Sequence, residues 1–341
     1  MINAVFRSHI TALAFLIYFS CTVIAANKPV ETDELKAQKI RAEAGDAEAQ
    51  TVVGVCYFSG VGAPEDTQLG LSWLRKAADQ GHPKAQNMLG LSYINGEGTP
   101  RDPVKAVAWL KRAAEQGYAE AQANLALCYK KGDGIEQDLG QAVLWNKKSA
   151  SQGYAMAQNN LGICYEQGVG VERNFPEAMK WWKMAAESGW VESQLNLGLC
   201  FYKGQGTPKD LAQAVFWLNK AAEGGHPRAQ HCIGLCYMKG EGVAVSKEKA
   251  FAWLRKASDQ GLDVSHFALG YMLIADAGVV SNPVKAYAYF KISAETVEQS
   301  RINVARLESE LSPADIAKGK EYALKLQKEI AQKIAAKQAG R

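Results

Sequence analysis

Proline is scarce in this chain, with 10 in 341 residues, and neither charge sign dominates: 39 Lys and Arg stand against 35 Asp and Glu, a formal balance of +4. So small a balance makes no strong case for a nucleic-acid partner. Beyond the first 26 residues no apolar run reaches membrane length, which leaves no candidate for stable membrane insertion. The H-E-x-x-H, C-x-x-C, G-x-S-x-G and phosphate-loop patterns are all missing. The chain is therefore read as a non-enzyme with no cofactor and no metal. At 48% hydrophobic and 22% charged residues, it is neither wholly disordered, collagen-like nor polytopic. What it does have is 31 glycines and eight tryptophans, which suggests helices separated by glycine-marked turns.

Residues 1–26 read as a secretory signal. Arg7 and His9 precede the apolar run Ile10 to Phe19, and Val23-Ile24-Ala25 supplies a small-residue cleavage pattern. The expectation is an exported protein: periplasmic or secreted in a bacterium, lumenal or secreted in a eukaryote.

One spacing runs through the rest. Gly45, Gly81, Gly117, Gly153, Gly189, Gly225 and Gly261 are 36 residues apart, and Trp73, Trp109, Trp145, Trp181, Trp217 and Trp253 keep the same beat, with Tyr289 in the seventh place. A fixed period of about 20–50 residues marks a solenoid or similar array. Each unit reads as two helices. In the second unit Ala85, Met88, Leu89 and Tyr93 share one helix face. Asn95-Gly96-Glu97-Gly98 is a turn. Asp102-Pro103 starts the second helix, and Gly117 ends it. Glycines at 54, 90, 162, 198, 234 and 270 sit inside the first helix, where each costs about 1 kcal/mol of propensity. A neighbour must need that space, and the tryptophan column is the expected bulky partner.

The expected fold is all-α: a right-handed α-solenoid of about seven helix-turn-helix repeats over 45–296. An N-terminal capping helix is expected over 27–44. C-terminal helices and a basic tail fill 297–341, where seven basic and two acidic residues lie from Lys318 to Arg341. The seventh unit is degenerate, with Asp276 and Gly278 in its loop. Ser312 to Asp315 has capping-box spacing, and Tyr322, Leu326, Ile330 and Ile334 recur every four residues, a stripe expected to dock on the last repeat.

The phrases A-E-A-Q-x-N-L-G, Y-x-x-G-x-G-V/T with a following Asp, and W-L-x-K-A-A-E-Q-G resemble the Sel-1-like repeat, a relative of the tetratricopeptide repeat. The resemblance covers about Gly45 to Glu295, with LSPADIAKG similar to segments that close such arrays. It implies a scaffold for protein assemblies. Cysteine-rich members of the family pair two cysteines per repeat, and some are described as penicillin-binding or β-lactamase-like. Here the second cysteine column is missing, so that framework does not carry over.

Cys56, Cys128, Cys164, Cys200 and Cys236 occupy one column and read as small buried apolar residues. Equivalent helices about 8–10 Å apart are too distant for disulfides, which need Cα atoms within about 7 Å. Cys232, Cys236, His231 and His226 lie close in sequence but match no zinc-finger spacing. Ser246-x-x-Lys249 matches the S-x-x-K of a hydrolase, without S-D-N or K-T-G. Ser246 also falls in the N-cap column of Asp66, Asp102, Asp138, Asn174 and Asp210, and capping is the reading taken.

A stacked array curves, and its concave surface is the usual docking site for a protein or peptide. By resemblance to tetratricopeptide arrays, the first helices line it. Candidate contacts there are Asn87, Asn159 and His231 in one column and Lys131, Lys203 and Lys239 in another, beside Lys130, Glu166 and Tyr202. Leu91, Leu127, Ile163 and Leu199 stand where chaperone-binding clamps carry Asn. Trp190 and Trp182 depart from the pattern. Trp190 is either an interface anchor or a packing residue. The alternatives to a scaffold are a β-lactamase-like or penicillin-binding hydrolase and a structural spacer in envelope assembly.

Overall fold

A computed structural model describes residues 31–275 and 280–339. Residues 1–26, the stretch read as a signal, lie outside the described residues, as do Asp276 and Gly278. Every regular element among those residues is an α-helix: α1 (Asp33–Glu43), α2 (Ala47–Ser59), α3 (Thr67–Asp79), α4 (Pro83–Asn95), α5 (Pro103–Glu115), α6 (Ala119–Lys131), α7 (Leu139–Ser151), α8 (Ala155–Gln167), α9 (Phe175–Glu187), α10 (Val191–Lys203), α11 (Leu211–Glu223), α12 (Pro227–Lys239), α13 (Lys247–Ser258), α14 (Asp263–Ile274), α15 (Pro283–Ser293), α16 (Glu298–Glu310) and α17 (Pro313–Ala339). The chain divides into two compact units, one ending at Asn174 and the other starting at Phe175.

The same local chemistry repeats in both units. Each first helix from α2 to α12 ends on a left-handed glycine, such as Gly96 at φ +70° or Gly204 at φ +69°. That conformation costs an L side chain steric energy and costs glycine none. Two residues later a second glycine also has positive φ, as at Gly98, Gly134 and Gly206. Its second reason is space. A Cβ on Gly134 would lie 2.1 Å from the Pro103 carbonyl oxygen, and one on Gly206 would lie 2.9 Å from the Phe175 carbonyl carbon. The G-x-G pair is thus a turn that lets one repeat touch the backbone of the one before it.

Asp66, Asp102, Asp138 and Asp210 then cap the second helices, each accepting a backbone N–H three residues on at 2.9–3.0 Å. Such caps stabilise by about 1 kcal/mol each. Ser246 takes the same place on α13, accepting from the Lys249 backbone N–H at 3.3 Å.

In the first unit α2 packs on α3, α4 on α5 and α6 on α7, and each second helix packs on the next first helix. The second unit repeats this for α10 to α15. The close approach uses the mid-helix glycines, and here one expectation is corrected. Their bulky partner is not the tryptophan but the residue after it. A Cβ on Gly54, Gly90, Gly198 or Gly234 would come within 2.7–2.9 Å of Leu74, Leu110, Leu218 or Leu254. The tryptophans stand one position around the helix and are capped by cations one turn on. Lys76 lies 4.0 Å over the Trp73 ring, Lys148 3.9 Å over Trp145 and Lys256 4.1 Å over Trp253. This arrangement keeps their faces out of water and uses the ring quadrupole. Trp182 occupies the leucine column and is 1% exposed.

The ends are closed differently. Leu35 and Ala42 of α1 join the core of the first repeat. At the other end, α17 lies along α15. Ser312 caps it, accepting from the Asp315 N–H at 3.1 Å and donating to its carboxylate at 2.8 Å. Leu326 and Ile330 are buried, Lys333 pairs with Asp259 at 2.8 Å, and Lys337 donates to Gln260. Docking therefore runs almost the whole helix. No helix among the described residues is long and apolar enough to cross a membrane.

Candidate binding face

The first helices present one column of half-buried aliphatic side chains: Leu91, Leu127 and Ile163 in the first unit, Leu199 and Leu235 in the second, with Tyr271 half-exposed. These residues are apolar because the column lies at the edge of the helix pair. One flank packs inward and the other meets water.

Between α4 and α6 the face opens into a cleft of about 300 Å3, continuous with solvent. Leu91, Ile94 and Leu127 form aliphatic walls, with Asn124, Lys131 and Asp133 bordering them. Asn124 donates its side-chain N–H to Asn87 Oδ1 at 2.9 Å, which leaves its own carbonyl oxygen available. The Asp133 carboxylate is held by Arg101, whose Nη2 lies 2.6 and 2.7 Å from its two oxygens. Lys130 and Lys131 are exposed and form no ion pair among the described residues. The border of the cleft is therefore basic.

The expected contact residues divide into two groups. Lys130, Lys131, Lys203 and Lys239 are exposed, and Glu166 and Tyr202 are half-buried beside them. Tyr202 is not free: its hydroxyl donates to Glu241 at 2.6 Å. That hydrogen bond, with burial, pushes its pKa up to about 12. The other column looks inward, and its reading as an open strip is corrected. Asn87 is 2% and Asn159 8% exposed. His231 is half-buried, with Nδ1 2.9 Å from the Ser265 hydroxyl. Thr51 of the same column bonds His82 in the same way at 3.0 Å. Asn87, His231 and Thr51 thus each bridge to the next repeat. Trp190 is the N-cap residue of α10, half-buried, with its indole nitrogen buried and unpartnered.

Sequence reading passed over Ile94 and the Arg101–Asp133 pair. The available signal was the aliphatic column itself, which had been read only as the loss of a clamp asparagine.

The column cysteines Cys56, Cys128, Cys164, Cys200 and Cys236 are buried and none of them is in a disulfide. Burial pushes Cys128 up to about 12 and Cys236 to about 11, which makes them poor nucleophiles and metal ligands. His226 is an N-cap accepting from the Arg228 N–H at 3.2 Å. Ser246 donates its hydroxyl to Glu248 at 3.1 Å, and the Lys249 ammonium sits 5.3 Å from the Tyr237 ring centroid. The pair is thus spent on capping and ring contact.

Among known proteins, the Sel1 repeat family model matches seven times, at residues 47–82, 83–118, 119–154, 155–190, 191–226, 227–262 and 264–295. A crystal structure of a protective antigen present in uropathogenic Escherichia coli strains, with an SLR fold, is 33% identical at TM-score 0.77, covering 87% of this chain. This chain covers 64% of that protein, so it spans just under two thirds of its length. A Sel1 repeat protein from Oxalobacter formigenes is 30% identical at TM-score 0.64, covering 72% of this chain and 96% of its own. No curated protein gives a significant match. Sel1 repeat proteins are generally protein-interaction scaffolds rather than catalysts. With helix pairs, glycine turns and seven matched repeats all in one register, this chain belongs to the Sel1 repeat family.

Proposed function

We propose that the protein is an exported, non-catalytic scaffold that binds a protein or peptide through its first-helix face, the concave one in stacked arrays. The observation that carries this reading is the half-buried aliphatic column of Leu91, Leu127, Ile163, Leu199 and Leu235 beside exposed lysines. Within each unit, such side chains bury apolar area when a segment lies on them. Export rests on the basic-then-apolar sequence of residues 1–26. Cell fractionation with N-terminal sequencing tests it, and protein found only in the cytosol with an intact Met1 would count against it.

Photo-crosslinking tests the face. A photoreactive residue placed at Leu127 or Leu199 should capture a partner in living cells. The same residue at Val104, 68% exposed on a second helix, should not. Adducts from Val104 alone would move the site. Adducts from none of the three would remove the scaffold reading.

A further inference from the structure

We propose that the cleft between α4 and α6 is a subsite for an aliphatic side chain adjoined by an acidic residue, within an extended segment of a partner protein. This rests on the scaffold reading above and assigns the chemistry of one place on that face.

Size comes first. Of the about 300 Å3, most is open to solvent, and the enclosed part is only about 20 Å3, the space of about one water-sized group. The cleft therefore takes the branched tip of one aliphatic side chain, the rest of which lies against the open walls, rather than a small molecule. Its walls, Leu91, Ile94 and Leu127, are aliphatic, so the complement is an apolar group whose burial removes water from both surfaces.

Polarity comes second. Asn124 gives one of its two side-chain N–H groups to Asn87. Its carbonyl oxygen is left to accept, and an extended main chain supplies an N–H beside each side chain. Asn124 would therefore register the segment while the aliphatic group fills the cleft.

Charge comes third. Asp133 is the one carboxylate bordering the cleft, and Arg101 neutralises it through both oxygens. Lys131 and its neighbour Lys130 are exposed and unpaired among the described residues. The field at the mouth is positive. A basic or neutral segment gains nothing from it, whereas an aspartate or glutamate next to the anchor does.

The test uses the intact chain and a random heptapeptide library displayed on phage. Selected peptides are then synthesised and titrated by fluorescence polarisation. The selected set should share Leu, Ile or Val next to Asp or Glu. Leu127→Glu and Lys131→Glu should each weaken binding by about tenfold or more, the effect of roughly one lost good contact. Lys131→Arg should keep it, and added salt should weaken it. Lys131 is exposed, so Lys131→Glu is informative even where Leu127→Glu perturbs packing. Selected peptides without an acidic neighbour, or peptides that bind both glutamate variants as they bind wild type, would overturn the cleft assignment. So would a selection that returns nothing. In each case crosslinks at Leu199 would still decide the scaffold reading on their own.

Discussion

Gln116 donates its side-chain amide to Gln86 at 2.8 Å, and Gln86 passes its own amide to the Ala78 carbonyl at 3.1 Å. This relay recurs. Gln80 gives to Gln50, Gln152 to Gln122 and Gln260 to Gln230, at 2.7–2.8 Å. The buried partner of each pair closes the carbonyl end of the preceding helix, at 3.0 Å for Gln50 and 3.1 Å for Gln122 and Gln230. The A-Q and E-Q-G phrases of the repeat are thus two halves of one hydrogen-bonded rung. Gln86→Leu should therefore cost about 0.5–1.5 kcal/mol, the net worth of a lost hydrogen bond, since the Ala78 carbonyl keeps the Gly81 N–H at 2.9 Å. Gln116 is exposed, and Gln116→Ala should cost well under half of that. Urea unfolding followed by circular dichroism gives both numbers. Equal costs would mean that the relay does not matter to stability.

The second turn glycine separates conformational strain from crowding. Gly117 and Gly134 both have positive φ, +89° and +77°. A Cβ on Gly117 meets nothing within 4 Å, whereas one on Gly134 would lie 2.1 Å from a backbone oxygen. Gly117→Ala should cost about 1–2 kcal/mol, the price of the left-handed region alone. Gly134→Ala must also push two repeats apart and should cost more than about 3 kcal/mol. Thermal unfolding of the two variants side by side would show the gap, and its absence would refute the close-approach role.

The third repeat breaks the glycine–leucine pairing on both sides at once. Ala126 stands in the glycine column, and Asn146 in the leucine column facing it by register. Both are buried, and Asn146 Oδ1 is buried without a partner. The change reads as a coupled exchange: a smaller, shorter neighbour makes room for the extra methyl. Gly90→Ala, against Leu110 at 2.7 Å, should destabilise by about 1–3 kcal/mol through overpacking, although alanine favours helix by about 1 kcal/mol. Asn146→Leu alone should also destabilise. Combined with Ala126→Gly, it should restore the common pair and remove the orphaned amide oxygen. A double-mutant cycle should return a favourable coupling of about 0.5–3 kcal/mol. Strict additivity would show that the columns do not touch.

Legibility in the sequence followed the range of the interaction. The Asp caps, glycine stops and Ser312 cap depend on residues within a few positions, so spacing alone exposed them. The partner of the mid-helix glycine lies 20 residues away, at Leu74 for Gly54. There an adjacent tryptophan and leucine are indistinguishable by type, and the larger ring was the wrong choice. Asn87 was misjudged for a related reason. An amide on a helix reads as solvent-facing until its partner, Asn124 on the next first helix, is seen to use it. The cleft was hidden because it is an absence of atoms between two helices, and no residue type announces it.

His266 occupies the ladder column where Gln50, Gln86, Gln122, Gln158, Gln194 and Gln230 stand in the other repeats. It is 1% exposed, and its ring stacks on Tyr289 with centroids 6.3 Å apart. Burial lowers its pKa below the ordinary 6.5, against a smaller opposing pull from Asp263, whose carboxylate is 3.5 Å from Nδ1. The folded state therefore holds a neutral ring, while the unfolded chain takes up a proton near pH 6.5. In that window the unfolded state binds more protons, so stability is full above about pH 6.5 and falls as the pH drops through it. His226 and His231 are lowered by burial too and act with the same sign. Carboxylates held low by hydrogen bonds, such as Asp46 and Asp102, lose their contribution only below about pH 4, so the histidine step stands apart. His266→Gln should shrink that step and add a rung to the Ser258 carbonyl. Urea midpoints at pH 7.5 and 5.5 should therefore lie closer together in the variant than in wild type. A variant with an unchanged pH dependence would assign the step to the other two histidines.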